Sequence, residues 1–257
     1  MSRFKTASIA TAVLLLIIAL VFTGGQKWLF LAAATIAYLV LVGLGVAFIK
    51  MRFFCNALCN GTTGKMQVAL TFDDGPDPLA TPLLLDELKR TKVPAAFFCV
   101  GRKVLDNPAL VKRILDEGHV IGNHTFSHKW WTNFMFGKLL FDEIARAQAA
   151  IKNVVDYEPA YFRPPVGLTN PHFDGALKKM RLTMVGWSVR SFDRLCSNPA
   201  KVVDRIVNKT HDGAVIVLHD GDATPDFLVN VVSRVVRILR QRGYTFVGLD
   251  ALFGKDP

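Results

Sequence analysis

Two long apolar runs open the chain, and a different rhythm follows them. Thr6 to Thr23 carries no charge, Trp28 to Phe48 carries none, and only "GGQK", Gly24 to Lys27, separates them. Each run is close to the roughly 20 residues that cross a bilayer as a helix. As buried core helices they would need partners covering every face, so residues 1–52 are predicted to form a two-helix transmembrane hairpin. The rival for the first run is a cleaved signal peptide. "SRFK" supplies its basic start, but "VFTGG" is a poor match to a small-residue cleavage site.

Residues 53–65, "FFCNALCNGTTGK", read as a linker. From residue 66 onward short apolar runs alternate with amphipathic stretches. Strands are predicted at Val68 to Phe72, Ala95 to Val100, Val120 to Gly122, Ala160 to Arg163, Thr183 to Ser188, Ala214 to Leu218 and Thr245 to Leu249. Capping residues followed by proline mark the helix starts between them: Thr81-Pro82, Asn107-Pro108, Asn170-Pro171, Asn198-Pro199 and Thr224-Pro225. Gly118 and Gly243 fit helix ends. Strands alternating with helices predict an α/β fold with a parallel sheet over residues 66–257. Periodicity does not separate an open sheet from a barrel. The placement of polar residues does, because every chemically suggestive side chain falls at the carboxyl end of a strand, and a ring of strands brings all those ends to one face.

The length of 257 residues accommodates one such domain plus the hairpin. Of the net charge of +10, half comes from Arg3, Lys5, Lys27, Lys50 and Arg52, since residues 1–52 contain no acid. Four of these five flank the spans on the outside of the hairpin, and only Lys27 lies in the connection. The positive-inside rule then puts both ends, and the soluble domain with them, on the cytoplasmic side of a bacterial-type inner membrane. A periplasmic or extracellular domain is the alternative. Basic flanks beside spans suit anionic lipid, and no basic stripe with interleaved aromatics points to nucleic acid. Cys55, Cys59, Cys99 and Cys196 are too few and scattered for a disulfide framework or a zinc-cysteine site, and read as buried or juxtamembrane thiols.

The chemistry begins at "TFDDGPDP", where an apolar strand runs into Asp73 and Asp74. An Asx-rich turn accounts for Gly75, Pro76 and Asp77 but not for doubled acid after a buried strand. Adjacent carboxylates repel, and a divalent cation reverses that local logic. "HTFSH" places His124 and His128 four residues apart, a weak metal signal alone that strengthens beside a carboxylate ligand from Asp74. Asp73 is then free to take a proton from water. "FRPPVG" offers Arg163 as a fork that orients a carboxylate. In "VIVLHDG" the period of two sends Val217 and His219 to one face, putting an imidazole in the barrel mouth as a proton donor. His119, His172 and His211 lack such partners and read as loop or packing residues. Trp130, Trp131, Phe134 and Phe136 suit a lid, a sugar platform, a membrane interface or plain packing against the helix predicted from Lys138.

Taken in order, "TFDDG", "HTFSH", "RPPVG", "WSVRSFD" and "VLHD" resemble the motif set of the NodB-homology polysaccharide deacetylases, carbohydrate esterase family four, over residues 66 to 250. The resemblance implies a deformed (β/α)7-8 barrel and a divalent metal, zinc with cobalt as the other occupant. It implies Asp74, His124 and His128 as ligands, Asp73 as general base, His219 as general acid, Arg163 holding Asp73, and Asp193 polarising His219. The backbone N–H of Val166 would help to stabilise an oxyanion. The implied activity is hydrolysis of N-acetyl, or N-formyl, groups on an amino-sugar glycan or lipid-linked glycan, with no nucleotide or redox cofactor. The substrate pocket would be lined by Val166, Val217, Trp187, Arg190 and Arg194. Val217 stands where Leu is usual, Val166 where an aromatic is frequent, and Arg190 and Arg194 replace an acid and an aromatic, which suits an anionic substrate such as a phosphate-bearing glycolipid. The alternative from another class is a catalytically silent, membrane-tethered glycan-binding module. Loss of Asp73, a ligand or His219 would favour it, and all are present.

Overall fold

In the computed structural model the described residues are 2–62, 64–221 and 224–254. Met1 and residues 255–257, the outer limits expected for the anchor and the soluble domain, lie outside them, as does Thr63 of the expected linker. Two apolar helices, α1 (Arg3–Val21) and α2 (Gly24–Ala47), come first. At 1.5 Å per residue they are about 28 and 36 Å long, enough to cross the roughly 30 Å hydrocarbon layer. Their apolar side chains are largely exposed, and above its base the hairpin packs chiefly on itself.

The rest of the chain alternates β1 (Ala57–Leu58), β2 (Gln67–Asp73), α3 (Ala80–Thr91), β3 (Ala95–Cys99), α4 (Gly101–Asp106), α5 (Pro108–Asp116), β4 (Val120–Asn123), α6 (Gly137–Val155), β5 (Tyr161–Phe162) and α7 (Phe173–Lys179). It continues with β6 (Thr183–Val185), β7 (Val189–Arg190), α8 (Pro199–Lys209), β8 (Ala214–His219), α9 (Pro225–Gln241), β9 (Thr245–Phe246) and α10 (Leu249–Leu252). The sheet runs β1-β6-β5-β4-β3-β2-β8-β7, with β9 added to β2, and every ladder is parallel. No ladder closes it among the described residues. Just after β1, an isolated antiparallel bridge from Asn60 to Ala214 and the bond from Gly61 N–H to Gly213 C=O (2.8 Å) join its two sides. The architecture is a parallel half-barrel, the deformed barrel expected from the sequence.

Period-two alternation sorts the strand residues. Val68, Leu70 and Phe72 face outward into the core beneath Leu84, Leu85 and Leu88 of α3 and Val231, Val232, Val235 and Leu239 of α9, which recur at helical spacing. Ala69, Thr71 and Asp73 face inward, and small Ala96 opposite leaves room there for larger polar groups. Helices thus cover one face of the sheet while the other encloses the site.

Several local expectations differ. The first part of the expected linker, Phe53 to Cys59, folds into the domain: β1 pairs with β6, and Phe53, Phe54, Cys55 and Cys59 are buried with Phe162, Phe173 and Met184. A two-residue strand is too short to show alternation. The strand expected over Thr183 to Ser188 stops at Val185, and β7 follows a bend at Ser188; at Gly186, between them, a Cβ would lie 2.7 Å from Cys59 Sγ. Strand β9 ends at Phe246, and Leu249 already opens α10. Helix α3 is capped not by Thr81 but by Asp77 Oδ1, which accepts from the N–H groups of Leu79 (2.9 Å) and Ala80 (2.8 Å). Asn198 caps α8 as expected. Asn107 and Thr224 precede α5 and α9 without side-chain capping bonds, and Asn170 bonds His172 N–H ahead of α7. The cysteines are free.

Candidate metal centre and cleft

Strand β2 ends in register with β8, so that Asp73 stands beside His219 and Thr71 beside Val217. This juxtaposition is a consequence of parallel pairing, and it places the two doubled acids and one imidazole on a single rim. The chain leaves β2 through Asp74 in the left-handed region (φ 73°) and Gly75, where a Cβ would meet the Asp220 carboxylate at 2.2 Å. Only glycine fits that approach.

His124 follows β4, and Nδ1 lies 2.7 Å from the carbonyl oxygen of Arg163. A carbonyl only accepts, so Nδ1 carries the proton and the neutral ring presents a lone pair at Nε2. That Nε2 lies 3.3 Å from Asp74 Oδ1, and His128 Nε2 lies 2.8 Å from the same oxygen. His128 Nε2 is buried without a hydrogen bond to any described group. Lone pairs and a carboxylate oxygen converging within 4.8 Å repel one another unless a cation sits between them. Two imidazoles and one carboxylate, with the Arg163 carbonyl fixing one tautomer behind them, fit a divalent metal with open coordination positions. Burial works to raise the pKa of Asp74, but positive charge at His124 and His128 Nε2, a proton there or a cation in its place, outweighs it and holds the group well below the usual carboxylate range.

Arg163, at the end of β5, is fully buried. Its guanidinium donates to Asp73 Oδ1 (2.6 Å), Thr71 Oγ1 (2.8 Å), Gly186 C=O (2.9 Å) and Val185 C=O (3.3 Å), and lies over the Phe98 ring. Burial lowers its pKa while Asp73 opposes the shift. This is a buried, multiply bonded pair in which neither member can relax to water, so it fixes where Asp73 points.

On the other side of the cleft, Asp193 Oδ1 accepts from His219 Nδ1 (2.8 Å) and from Ser191 Oγ (2.6 Å), and Oδ2 accepts from His219 N–H (2.8 Å). The ring therefore offers Nε2 to the cavity. Burial pulls the His219 pKa down, yet the Asp193 contact prevails and raises it; Asp193 is correspondingly held low by His219, against its own burial.

A cavity of ≈ 260 Å³ joins these groups and is lined also by Val166, Trp187, Arg190, Phe192, Leu195 and Val217. All five residues expected in the substrate pocket are on its wall. Val166 adopts φ 59°, a strained backbone for a β-branched residue, in a turn whose carbonyl at Pro165 accepts from Asn133 Nδ2 (2.9 Å). A larger adjoining hollow of ≈ 700 Å³ shares Asp193, Arg194, Leu195 and His219 and extends past Cys196, Thr224 and Phe227. Of the histidines set aside, His119 Nδ1 accepts from Ala95 N–H (3.2 Å), His172 lies tilted against the Phe136 ring, and His211 bonds its neighbour's carbonyl.

Two features were not read from the sequence. Arg194, expected to reach toward substrate, pairs its Nη1 with Asp74 Oδ2, the oxygen turned away from the imidazoles. Asp220, the last letter of "VLHD", is fully buried behind Gly75 and accepts from Thr81 Oγ1 (2.6 Å). Its burial, with the charge of Asp74 adding, pushes its pKa up to about 7. Its position in the motif was the available signal.

The sequence profile of the polysaccharide deacetylase family matches residues 60–185. A peptidoglycan-N-acetylglucosamine deacetylase of Bacillus cereus is 37% identical over 187 residues, covering 72% of this chain and 87% of that protein. The peptidoglycan-N-acetylglucosamine deacetylase PgdA of Listeria monocytogenes is 35% identical over 189 residues, 74% of this chain but 39% of its own length. The chain thus spans about two-fifths of the Listeria protein. A solved peptidoglycan N-acetylglucosamine deacetylase in complex with 4-naphthalen-1-yl-N-oxidanyl-benzamide superposes with a TM-score of 0.73 at 30% identity, covering 78% of this chain and 94% of that one.

Proposed function

The chain belongs to the polysaccharide deacetylase family, and from that premise we propose that it is a metal-dependent hydrolase removing N-acetyl groups from an amino-sugar glycan. One observation carries the proposal: the Asp74, His124 and His128 donors converge on the same cavity that Asp73 and His219 border. Zinc is the proposed metal, because two imidazole nitrogens and a carboxylate suit it and leave positions free, with cobalt as the second candidate. Bound there, the metal supplies Lewis acidity toward an amide carbonyl and lowers the pKa of water.

The chain's own groups do the rest. Asp73, aimed by Arg163, takes a proton from water as its oxygen adds to the amide carbon. Val166 lines the cavity, and its N–H is the donor proposed for the oxyanion that forms. His219 delivers its Nε2 proton to the amide nitrogen as the C–N bond breaks, giving a carboxylic acid and an amine. An amide anion is otherwise a prohibitive leaving group, and such acid catalysis contributes roughly 10²–10⁴-fold. Asp193 keeps His219 oriented and protonated. Val217 and Trp187 leave a cavity suited to a small acyl group such as acetyl or formyl, and the adjoining hollow suits neighbouring sugars of a chain. Arg190, over the Trp187 and Phe192 rings, supplies a cation for an anionic substituent on the substrate.

Purified full-length protein is expected to release acetate from chitooligosaccharide, to lose that activity to a chelator and to regain it with zinc. Asp73→Asn should abolish turnover while still binding zinc. Turnover indifferent to chelation would end the proposal.

We read the hairpin as a two-pass membrane anchor. The basic flanks Arg3, Lys5, Lys50 and Arg52 support a cytoplasmic soluble domain, within reach of lipid-linked saccharides. The peptidoglycan named for the relatives favours the opposite face, with the polymer itself as substrate. A reporter enzyme active only in the periplasm, fused after Pro257, is expected to be silent; a bright reporter overturns the cytoplasmic reading.

A further inference from the structure

The hairpin meets the domain at the rim of the cleft. Thr169, in the turn that follows β5, donates from N–H to Val46 C=O (3.0 Å) and from Oγ1 to Gly45 C=O (3.0 Å), both in the last turn of α2. Lys50 Nζ reaches the Ser188 carbonyl (2.8 Å) beyond β6, and Arg3 and Phe4 of α1 bond the carbonyls of Met51 and Phe53. All the barrel groups involved lie at carboxyl ends of strands or in the segment entering β1. A helix pair that spans a bilayer therefore brings the lipid surface to within a turn or two of Thr169, about 5–10 Å along the axis. Val166, on the cavity wall, is three residues from Thr169.

The segment after β4 continues this surface. Asn170 Nδ2 donates to the carbonyls of Asn133 (2.7 Å) and Met135 (3.1 Å), and Met135 and Phe141 pack against the same buried cluster, with Phe53, Phe54 and Phe162 in it, that Phe4, Leu41 and Val46 of the hairpin also pack against. Interleaved with those anchored residues, and on into the first turn of α6, large apolar side chains are turned outward: Trp131 is 42% exposed, Phe134 61%, Phe136 65% and Leu139 62%. Lys129 lies over the Trp131 ring, and an adjoining hollow of ≈ 430 Å³ is lined by Lys138, His172 and Lys179. Aromatic and aliphatic tips flanked by Lys129, Lys179 and Lys138, the last paired with Asp142, and adjoining the foot of the hairpin have the composition of an interfacial contact.

We propose that the segment from Lys129 to Leu139, ending in the first turn of α6, is a second membrane contact, its apolar side chains seated in the interface of an anionic bilayer beside the hairpin, so that the cleft opens at headgroup level and acts on amino sugars carried at the membrane surface. The inference rests on the membrane reading of the hairpin and on the deacetylase reading of the cleft. It assigns this loop a role distinct from catalysis: capture of a surface-borne substrate.

The test uses full-length protein reconstituted in phosphatidylglycerol and phosphatidylcholine vesicles. A solvatochromic fluorophore on Phe134→Cys, in a Cys196→Ser background, should be quenched by more than half when the lipids carry bromine on their acyl chains. The same label on Met66→Cys, at the opposite end of β2, should be unaffected. No quenching at position 134, as when the loop docks a protein instead, overturns the proposal. In parallel, the triple change Trp131→Ser, Phe134→Ser and Phe136→Ser should lower kcat/KM on a vesicle-borne N-acetylglucosamine lipid by about tenfold while leaving soluble chitooligosaccharide within about twofold. Equal losses on both substrates, or none on either, overturn it. If the unaltered enzyme hydrolyses neither substrate, the deacetylase reading falls, and the quenching result alone decides the membrane contact.

Discussion

Asp193 shows how one side chain tunes another. Its carboxylate raises the His219 pKa above the ordinary 6.5, so the imidazolium needed as acid persists to higher pH, and turnover falls as pH rises through the raised value. Asp193→Asn removes that support. The alkaline limb of the kcat profile should then move to lower pH, with kcat at its optimum reduced by roughly an order of magnitude or more. A limb that stays in place would deny Asp193 its role. The same pair acts on folding in opposite directions: the His219 contribution is present below pH 6.5 and lost as pH rises through the raised pKa, and that of Asp193 is present above pH 3.8 and lost as pH falls through its depressed pKa. Asp73, Asp74, His124, His128, Arg163 and His219 were legible because each ends or follows an apolar strand. The bond from Arg194 to Asp74 was not, since 120 residues separate them and no periodicity relates a loop arginine to a strand end.

At the scale of elements, the joint between α2 and the barrel depends on a residue with no side chain. A Cβ on Gly45 would lie 2.2 Å from Phe53 Cδ1, in the cluster where Phe53 meets Phe4 and Phe54 edge-on. Gly45→Leu should displace Phe53 and cost about 1–3 kcal/mol through overpacking. In detergent this should appear as a melting temperature several degrees lower and new protease cleavage between Phe48 and Phe54. An unchanged melting curve and cleavage map would show that the joint is loose. Helices and long strands were readable from spacing; β1 and β7 were not, because two residues hold no period and their pairing is decided by neighbours distant in sequence. Thr81 does not cap α3 because the helix already begins at Ala80; its hydroxyl instead accepts from Asp77 N–H and donates to the buried Asp220.

For the whole molecule, the metal centre ties three segments together, Asp74 after β2 and His124 and His128 after β4, behind which stands Arg163 from β5. A ligand that binds only the folded state stabilises it by mass action, about 2.7 kcal/mol at a hundredfold excess over Kd. Zinc should therefore raise the melting temperature of the full-length protein, and His124→Ala should abolish most of that rise; an equal shift in both would place the binding elsewhere. By itself the sequence determined what is local: two long apolar helices, an alternation of strands and helices, and acids, imidazoles and an arginine at strand ends, all set by spacing along one chain. Only the tertiary structure decided what is distant: the half-barrel that gathers those ends, the arginine beside the ligand Asp74, and the docking of the hairpin foot on the turn beside the cleft. These arise from contacts between segments far apart in the chain, where neither hydrophobic periodicity nor turn chemistry leaves a mark.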